Sequence, residues 1–176
     1  MRGRDTVASL AISLDGFIAE ADDSVDFLAK YTMDDYDFAG FMDTIGALIM
    51  GRSTYEVTLG FGWPWGDMPT MVLTTRTGLV VPDGANVTFS DQPTPEAIRS
   101  YSAQTTKRLW VHGGGKVITD GLLGGAVDTL DLMVMPEALG AGIPLFTEPY
   151  SGPMRLTEHT SFAGGPVRLI YDTAPD

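Results

Sequence analysis

Three consecutive glycines, Gly113, Gly114 and Gly115, stand between a strand-like and a helix-like segment of this 176-residue chain. Residues 108–112 favour a strand, and residues 116–123 carry apolar side chains at helical spacing. Glycines at such a junction let backbone N–H groups approach a diphosphate, and the helix dipole favours the same negative charge. The pattern predicts phosphate binding, with a tight turn needed only for chain reversal as the alternative.

A second phosphate site is predicted at Gly51, Arg52, Ser53 and Thr54, again between an apolar strand and a helix. The turn supplies backbone amides, the two hydroxyl groups supply hydrogen bonds, and the guanidinium supplies fixed charge. Ordinary helix capping beside an exposed arginine would give the same pattern. Two phosphate sites together would suit a dinucleotide.

A third group, formed by Thr74, Thr75 and Arg76, follows another strand-like segment. Its hydroxyls and guanidinium have the chemistry to hold a 2′-phosphate on the adenosine side of the dinucleotide. The alternative is a solvated arginine in a polar turn.

The remaining candidate groups are a histidine and several aromatic side chains. His112 directly precedes the glycines and could donate a proton at its usual pKa, or it could be a hydrogen-bonded structural residue. Tyr55 and the loop with Trp63 and Trp65 could line a pocket or serve packing alone. Two histidines without ligand spacing, in a chain without cysteine, predict no metal site and no disulfide.

The elements that must position these residues alternate between strands and helices through about residue 125. An interior strand is predicted from residue 6, and a helix from about residue 34 with Phe38, Phe41, Met42 and Ile45 on one face. Such alternation implies right-handed parallel crossovers, and a late hairpin about Gly164 adds antiparallel strands. We therefore expect an α/β fold with a mixed, mainly parallel sheet and a single domain over residues 1–176.

The composition limits the classes of partner. With 23 acidic and 11 basic residues the formal net charge is −12, which would repel nucleic acid and anionic membrane surfaces. The apolar runs are shorter than the roughly 18 to 20 residues of a membrane span, and no export signal is visible. We expect a cytoplasmic protein that binds a small-molecule substrate.

Four segments together resemble one family: residues 13–19, residues 50–55, the His112-Gly-Gly-Gly segment and residues 140–146. In this order, over roughly residues 6–172, they resemble the reductase domain of RibD, the 5-amino-6-(5-phosphoribosylamino)uracil reductase of riboflavin biosynthesis, and its dihydrofolate reductase-like relatives. The resemblance implies a dihydrofolate reductase-like three-layer α/β/α fold with a C-terminal antiparallel hairpin. It also implies NADPH as hydride donor, a small heterocyclic or carbonyl-type substrate, and a homodimer.

The resemblance also assigns site residues. It places the cofactor against Gly51, Arg52, Ser53, Thr54, Thr74, Thr75, Arg76, Gly113, Gly114, Gly115, Lys116, Val117 and Ile118. On the substrate side it places Asp15, where the first strand opens onto the active-site loop, together with a carboxylate from the helix before the Met-Gly-Arg strand. Asp35 is the first choice for that carboxylate and Asp34 the second, and both could instead be water-facing acids at a helix N-terminus. Asp35 and His112 are the predicted catalytic residues, and Tyr55 joins the substrate side.

The chain departs from the RibD pattern at two places. His112 stands where RibD members have glutamate, and an acidic segment, residues 22–37, replaces their tryptophan-containing segment after the first strand. An NADPH-dependent reductase is the first hypothesis. A dihydrofolate reductase proper and a non-catalytic NADPH-binding module are the alternatives.

Overall fold

The computed structural model describes residues 5–174, except for the side chains of Met33 and Asp34. Its strands are β1 (Thr6–Ile12), β2 (Phe17–Ala19), β3 (Ile45–Gly51), β4 (Thr70–Leu73), β5 (Val87–Ser90), β6 (Arg108–Gly113), β7 (Thr129–Val134), β8 (Ile143–Pro144), β9 (Arg155–Ser161) and β10 (Val167–Asp172). Its helices are α1 (Phe38–Asp43), α2 (Arg52–Gly60), α3 (Thr94–Ser102) and α4 (Gly115–Leu123). Short 3₁₀ turns at Asp26–Leu28 and Met33–Tyr36 lie between β2 and α1.

Eight strands form the central sheet in the order β5-β4-β3-β6-β1-β7-β10-β9. The pairs from β5 to β7 are parallel, and β10 runs antiparallel to both β7 and β9. β2 and β8 form a separate small antiparallel sheet. The predicted α/β class, the mainly parallel sheet and the C-terminal hairpin are confirmed.

The central strands of the sheet are buried on both faces and are almost continuously apolar. Ile49 and Val111 belong to one core together with residues of α3 and α4. Leu48 and Trp110, one position earlier on the same two strands, belong to the core on the other face with Phe41 of α1. The fold therefore has three layers, with α1 and α2 on one side of the sheet and α3 and α4 on the other.

The helix predicted from about residue 34 is shorter than expected. Asp37 has φ of 54°, in the left-handed region, so the chain turns between the preceding 3₁₀ turn and α1. Ile45, assigned to the helix face by its spacing, is the first residue of β3. The prediction of one continuous helix over these residues was wrong because the left-handed residue interrupts it. Across residues 5–174, no helix has the length and apolar character to span a bilayer.

Candidate active site

The two glycine-containing turns predicted to bind phosphate are neighbours in the structure. β3 and β6 are adjacent and parallel, with Met50 in register with Gly113. α2 begins at Arg52 directly after β3, and α4 begins at Gly115 directly after β6. Both nine-residue helices therefore present their N-termini at the same edge of the sheet, beside a cavity of about 1190 Å³. This arrangement concentrates backbone N–H groups and positive dipole ends at one place.

The three glycines at the junction of β6 and α4 differ in the room they leave for a side chain. A Cβ on Gly115 would lie 2.5 Å from the carbonyl oxygen of Pro144, and one on Gly114 would lie 3.3 Å from Oγ1 of Thr54. Gly113 has φ of +124°, a conformation that other residues rarely adopt, and its peptide bond to Gly114 is cis. All three glycines line the cavity, and their lack of side chains permits the close backbone approach that a diphosphate requires.

Most of the predicted cofactor residues line this cavity, and they come from both turns. The residues in contact with it include Gly51, Arg52, Ser53, Thr54, Gly113, Gly114, Gly115, Lys116 and Val117. Ile118 is fully buried in the core, so its predicted contact with the cofactor is not supported. Thr74, Thr75 and Arg76 line a second, shallower cavity of about 520 Å³.

A glutamate connects the second and third of the predicted phosphate-binding sites. Oε2 of Glu56 accepts a hydrogen bond from Arg52 at 2.7 Å, and Oε1 accepts one from Arg76 at 3.3 Å. Glu56 lies one turn into α2, whereas Arg76 follows β4. The same carboxylate therefore holds both guanidinium groups, of which Arg52 lines the larger cavity and Arg76 the smaller one.

The opposite part of the cavity extends over β1, β7 and β10, and we refer to it as the substrate half. Ser9, Asp131, Met133 and Arg168 line it from the sheet. Arg168 donates from Nε to Oδ1 of Asp131 at 2.9 Å and from its terminal nitrogen to Oδ2 at 2.6 Å. The Asp131 side chain is 4% exposed and that of Arg168 22%. The hydrogen bonds to this carboxylate raise the pKa of Arg168. The sheet side of the substrate half therefore holds a charged, bidentate ion pair.

Sequence reasoning missed this ion pair, although one signal pointed to it. Asp131 interrupts the apolar run of residues 130–135 within the strand predicted over residues 127–135. A carboxylate in a strand buried on both faces needs a partner, because burying an uncompensated charge is costly. The partner lies 37 residues further along the chain, at a position that only the register of β7 and β10 fixes.

His112 lies between the glycine turn and the substrate half, and it is packed against two tryptophans. Its ring centroid is 4.5 Å from that of Trp110 and 5.2 Å from that of Trp65. Within residues 5–174, Nδ1 of His112 is buried without a hydrogen-bond partner. Burial lowers the pKa of His112 to about 4. The proton donation predicted from its usual pKa therefore has no basis here, because the imidazole is neutral at pH 7.

This depressed pKa predicts a pH dependence of folding stability. In the unfolded chain the pKa of this histidine is 6.5. As the pH falls below that pKa, the unfolded state binds a proton that the folded state takes up only near pH 4. The neutral His112 side chain therefore makes its full contribution to folding stability above the pKa of the unfolded state. That contribution is lost as the pH falls towards the pKa of the folded state. Between pH 7 and pH 5 we expect a loss of about 2 kcal/mol in the free energy of unfolding.

Urea denaturation at both pH values, for the wild type and for His112→Gln, measures this contribution. The variant should lose less stability than the wild type over the interval. His159→Gln, which replaces an exposed histidine on β9, is the control and should behave like the wild type. An identical pH dependence in wild type and His112→Gln would contradict the burial of a neutral imidazole.

The predicted acid Asp35 does not reach the cavity. Its side chain is exposed and accepts a 2.5 Å hydrogen bond from the hydroxyl of Thr32. The prediction assumed a continuous helix, and the left-handed Asp37 changes the direction of the chain after the 3₁₀ turn. The side chain of Asp34 lies outside the described residues. The structure therefore does not support Asp35 as a catalytic group.

Asp15 and Tyr55, predicted on the substrate side, also lie away from the cavity. Asp15 is exposed and accepts hydrogen bonds from Ser13 and from the backbone N–H groups of Leu139 and Gly140, which lower its pKa to about 2. It fastens the turn after β1 to the loop after β7. Tyr55 is fully buried beneath α2, and its hydroxyl donates to the carbonyl of Val80 at 2.5 Å. Both residues have structural positions, and their predicted contact with substrate is not supported.

The chain between β2 and α1 covers the substrate half. Asp23, Asp26 and Tyr31 from this segment line the cavity. The hydroxyl of Tyr31 donates to Glu137 at 2.7 Å, and Nζ of Lys30 lies 2.5 Å from the same carboxylate. Glu137 therefore fastens the covering segment to the loop after β7.

Comparison with known proteins gives one family match and consistent structural neighbours. The model of the RibD C-terminal domain family matches residues 5–167. The uncharacterized protein YwjB of Bacillus subtilis is 33% identical over 178 residues, covering 96% of this chain and 97% of YwjB. The structure of a proposed riboflavin biosynthesis protein from Shewanella sp. PV-4 has a TM-score of 0.78 at 25% identity, covering 96% and 98% of the two chains. Dihydrofolate reductase from Enterococcus faecalis complexed with NADP(H) and RAB-propyl has a TM-score of 0.70 at 21% identity, covering 96% and 95%.

Proposed function

Because the chain belongs to the RibD C-terminal domain family, we propose that it is an NADPH-dependent reductase of a small heterocyclic or carbonyl-type substrate. The observation that carries this proposal is the pair of helix N-termini that open, side by side, onto one large cavity. A glycine backbone lies between them, in which Gly115 has no room for a Cβ and Gly113 has a φ of +124°. Such a cradle suits a diphosphate and would be an unusual requirement for chain reversal alone.

Each part of the cofactor has suitable groups in this arrangement. The backbone of Gly114 and Gly115 and the hydroxyl of Thr54 would hold the diphosphate at the two helix N-termini. Arg52 and Arg76, both linked to Glu56, would hold a 2′-phosphate. The nicotinamide would supply the hydride, and the protein's task is to orient it towards the substrate half and exclude water.

His112 and the covering segment have the positions for that second task. The neutral imidazole lies against Trp65 and Trp110 at the junction of the two parts of the cavity. A neutral ring can orient a substrate by hydrogen bonding without delivering a proton as imidazolium. The segment fastened by Glu137 would keep water from the reacting groups.

Oxidation of NADPH in the presence of candidate substrates tests the proposed activity. Unphosphorylated pterins and aminouracils, their phosphorylated derivatives, and small carbonyl compounds should be assayed by loss of the nicotinamide absorbance. Oxidation dependent on one of these classes supports the reductase. Saturable NADPH binding without oxidation by any of them favours the non-catalytic binding module.

The preference for NADPH over NADH should depend on Arg76. Arg76→Gln removes a guanidinium that is 62% exposed, so we expect NADPH to bind about tenfold more weakly while NADH binding is unchanged. Calorimetric titration with each nucleotide measures both affinities. Lys107→Gln removes the same charge from a side chain bonded to the Asp43 carbonyl, and it should change neither affinity. Equal weakening of both nucleotides by Arg76→Gln would remove Arg76 from the 2′-phosphate site.

A further inference from the structure

The basic side chains that line the cavity are all paired with carboxylates in the part of the chain that the structure describes. Arg52 is paired with Glu56, and Lys116 with Asp120 at 2.9 Å. Both of these cations lie at the glycine turns assigned to the cofactor. Arg168 is the basic residue of the substrate half, and its partner is Asp131.

The charge around Arg168 is negative despite the guanidinium. Asp131 neutralises it directly, and the carboxylates of Glu158 and Asp37 also raise its pKa. Asp23 and Asp26 line the same cavity from the covering segment. A phosphate entering the substrate half would meet these carboxylates without an unpaired cation to offset their repulsion.

The ion pair keeps hydrogen-bonding capacity that a neutral ring can use. Arg168 binds Asp131 through Nε and one terminal nitrogen, and that terminal nitrogen, 2.6 Å from Oδ2, keeps a second hydrogen that the pair does not use. Each carboxylate oxygen of Asp131 has a further lone pair. A donor and an acceptor thus lie side by side, which complements an N–H next to a C=O on a heterocycle.

We propose that the Asp131–Arg168 ion pair makes the substrate half selective for an unphosphorylated heterocycle, neutral or cationic, with an N–H beside a C=O. This inference rests on the proposed reductase function and specifies its substrate class. A substrate of the phosphoribosylaminouracil type is excluded by it.

Removing the carboxylate should convert the site into one that binds phosphate. Asp131→Asn keeps the shape of the side chain and leaves Arg168 with its charge unpaired by Asp131. Millimolar inorganic phosphate should then raise the Tm of the NADPH-saturated variant by about 3 °C over chloride at equal ionic strength. The double variant Asp131→Asn/Arg168→Gln should show no such rise.

Wild-type protein gives an independent test that does not require a variant to fold. Phosphate should not raise the Tm of the NADPH-saturated wild type above that in chloride, and uridine should bind at least as tightly as uridine 5′-monophosphate. A phosphate-dependent rise in the wild type, or tighter binding of the nucleotide, would overturn the proposal. If phosphate does not raise the Tm of folded Asp131→Asn, the proposal is overturned as well.

Failure of this inference can be distinguished from failure of the proposed reductase function. If NADPH does not bind, the reductase proposal fails, yet the two Asp131 variants can still be compared without cofactor. Phosphate bound at the helix N-termini would affect both variants equally, so their difference reports Arg168 alone.

Discussion

Gly114→Asp is expected to abolish NADPH binding and to leave the protein folded. Gly114 is the N-cap of α4 with φ of −75° and ψ of −163°, an extended conformation that aspartate readily adopts. Aspartate is also a favoured N-cap residue, so the fold has little reason to be lost. Its carboxylate, however, would occupy the anion site and repel the diphosphate. We expect the affinity to fall at least about a hundredfold, or roughly 3 kcal/mol.

Fluorescence titration with NADPH measures this loss, and a thermal melt checks that the variant is folded. Leu123→Asp is the matched control, because it adds the same charge at a half-exposed position at the other end of α4. The control should bind NADPH like the wild type. Unchanged affinity in folded Gly114→Asp would remove the cofactor from the glycine turn.

Arg168→Gln is expected to lower the free energy of unfolding by about 3 kcal/mol. The substitution leaves Asp131, whose side chain is 4% exposed, without the cation that compensates its burial. The expected value is at the lower end of the range for a broken buried pair, because Arg168 is 22% exposed. Asp131→Asn/Arg168→Gln should recover most of the loss, since no buried charge remains.

Urea denaturation of the single and double variants measures these energies. Arg155→Gln is the control, because Arg155 of β9 pairs with Asp172 of β10, the strand that also carries Arg168, but is 64% exposed. The control substitution should lower the free energy of unfolding by less than about 1 kcal/mol. If Arg168→Gln costs no more than Arg155→Gln, or if the double variant is no more stable than the single one, the ion pair lacks the buried character that its role requires.

The fold and the neighbouring positions of the two glycine-containing turns were predictable because their signals are local. Strand, glycine and helix follow one another twice within short segments, and parallel crossovers then place both turns at one edge of the sheet. The resemblance to the RibD reductase domain, confirmed by the family match, needed only motif order. The C-terminal hairpin was marked by its turn glycines.

The substrate half was not predictable because it depends on register and on a break in the chain. Asp131 and Arg168 meet only through the pairing of β7 with β10. Spacing alone placed Asp35 beside an apolar helix face, and the left-handed conformation of Asp37 separates Asp35 from the helix that carries that face. Tyr55 lies beside the glycine turn in sequence but points into the core, since helix α2 buries it. Proximity to the glycine turn in sequence therefore did not show whether a side chain lies in the core or lines the cavity.

Calorimetric titration of the purified protein with NADPH, and separately with NADH, tests the central claim most directly. Saturable binding with a clear preference for NADPH is expected, since the proposal places the diphosphate at the glycine turn and since Arg52 and Arg76 are both bonded to Glu56. Absence of binding by both nucleotides would contradict the cofactor site and, with it, the reductase function.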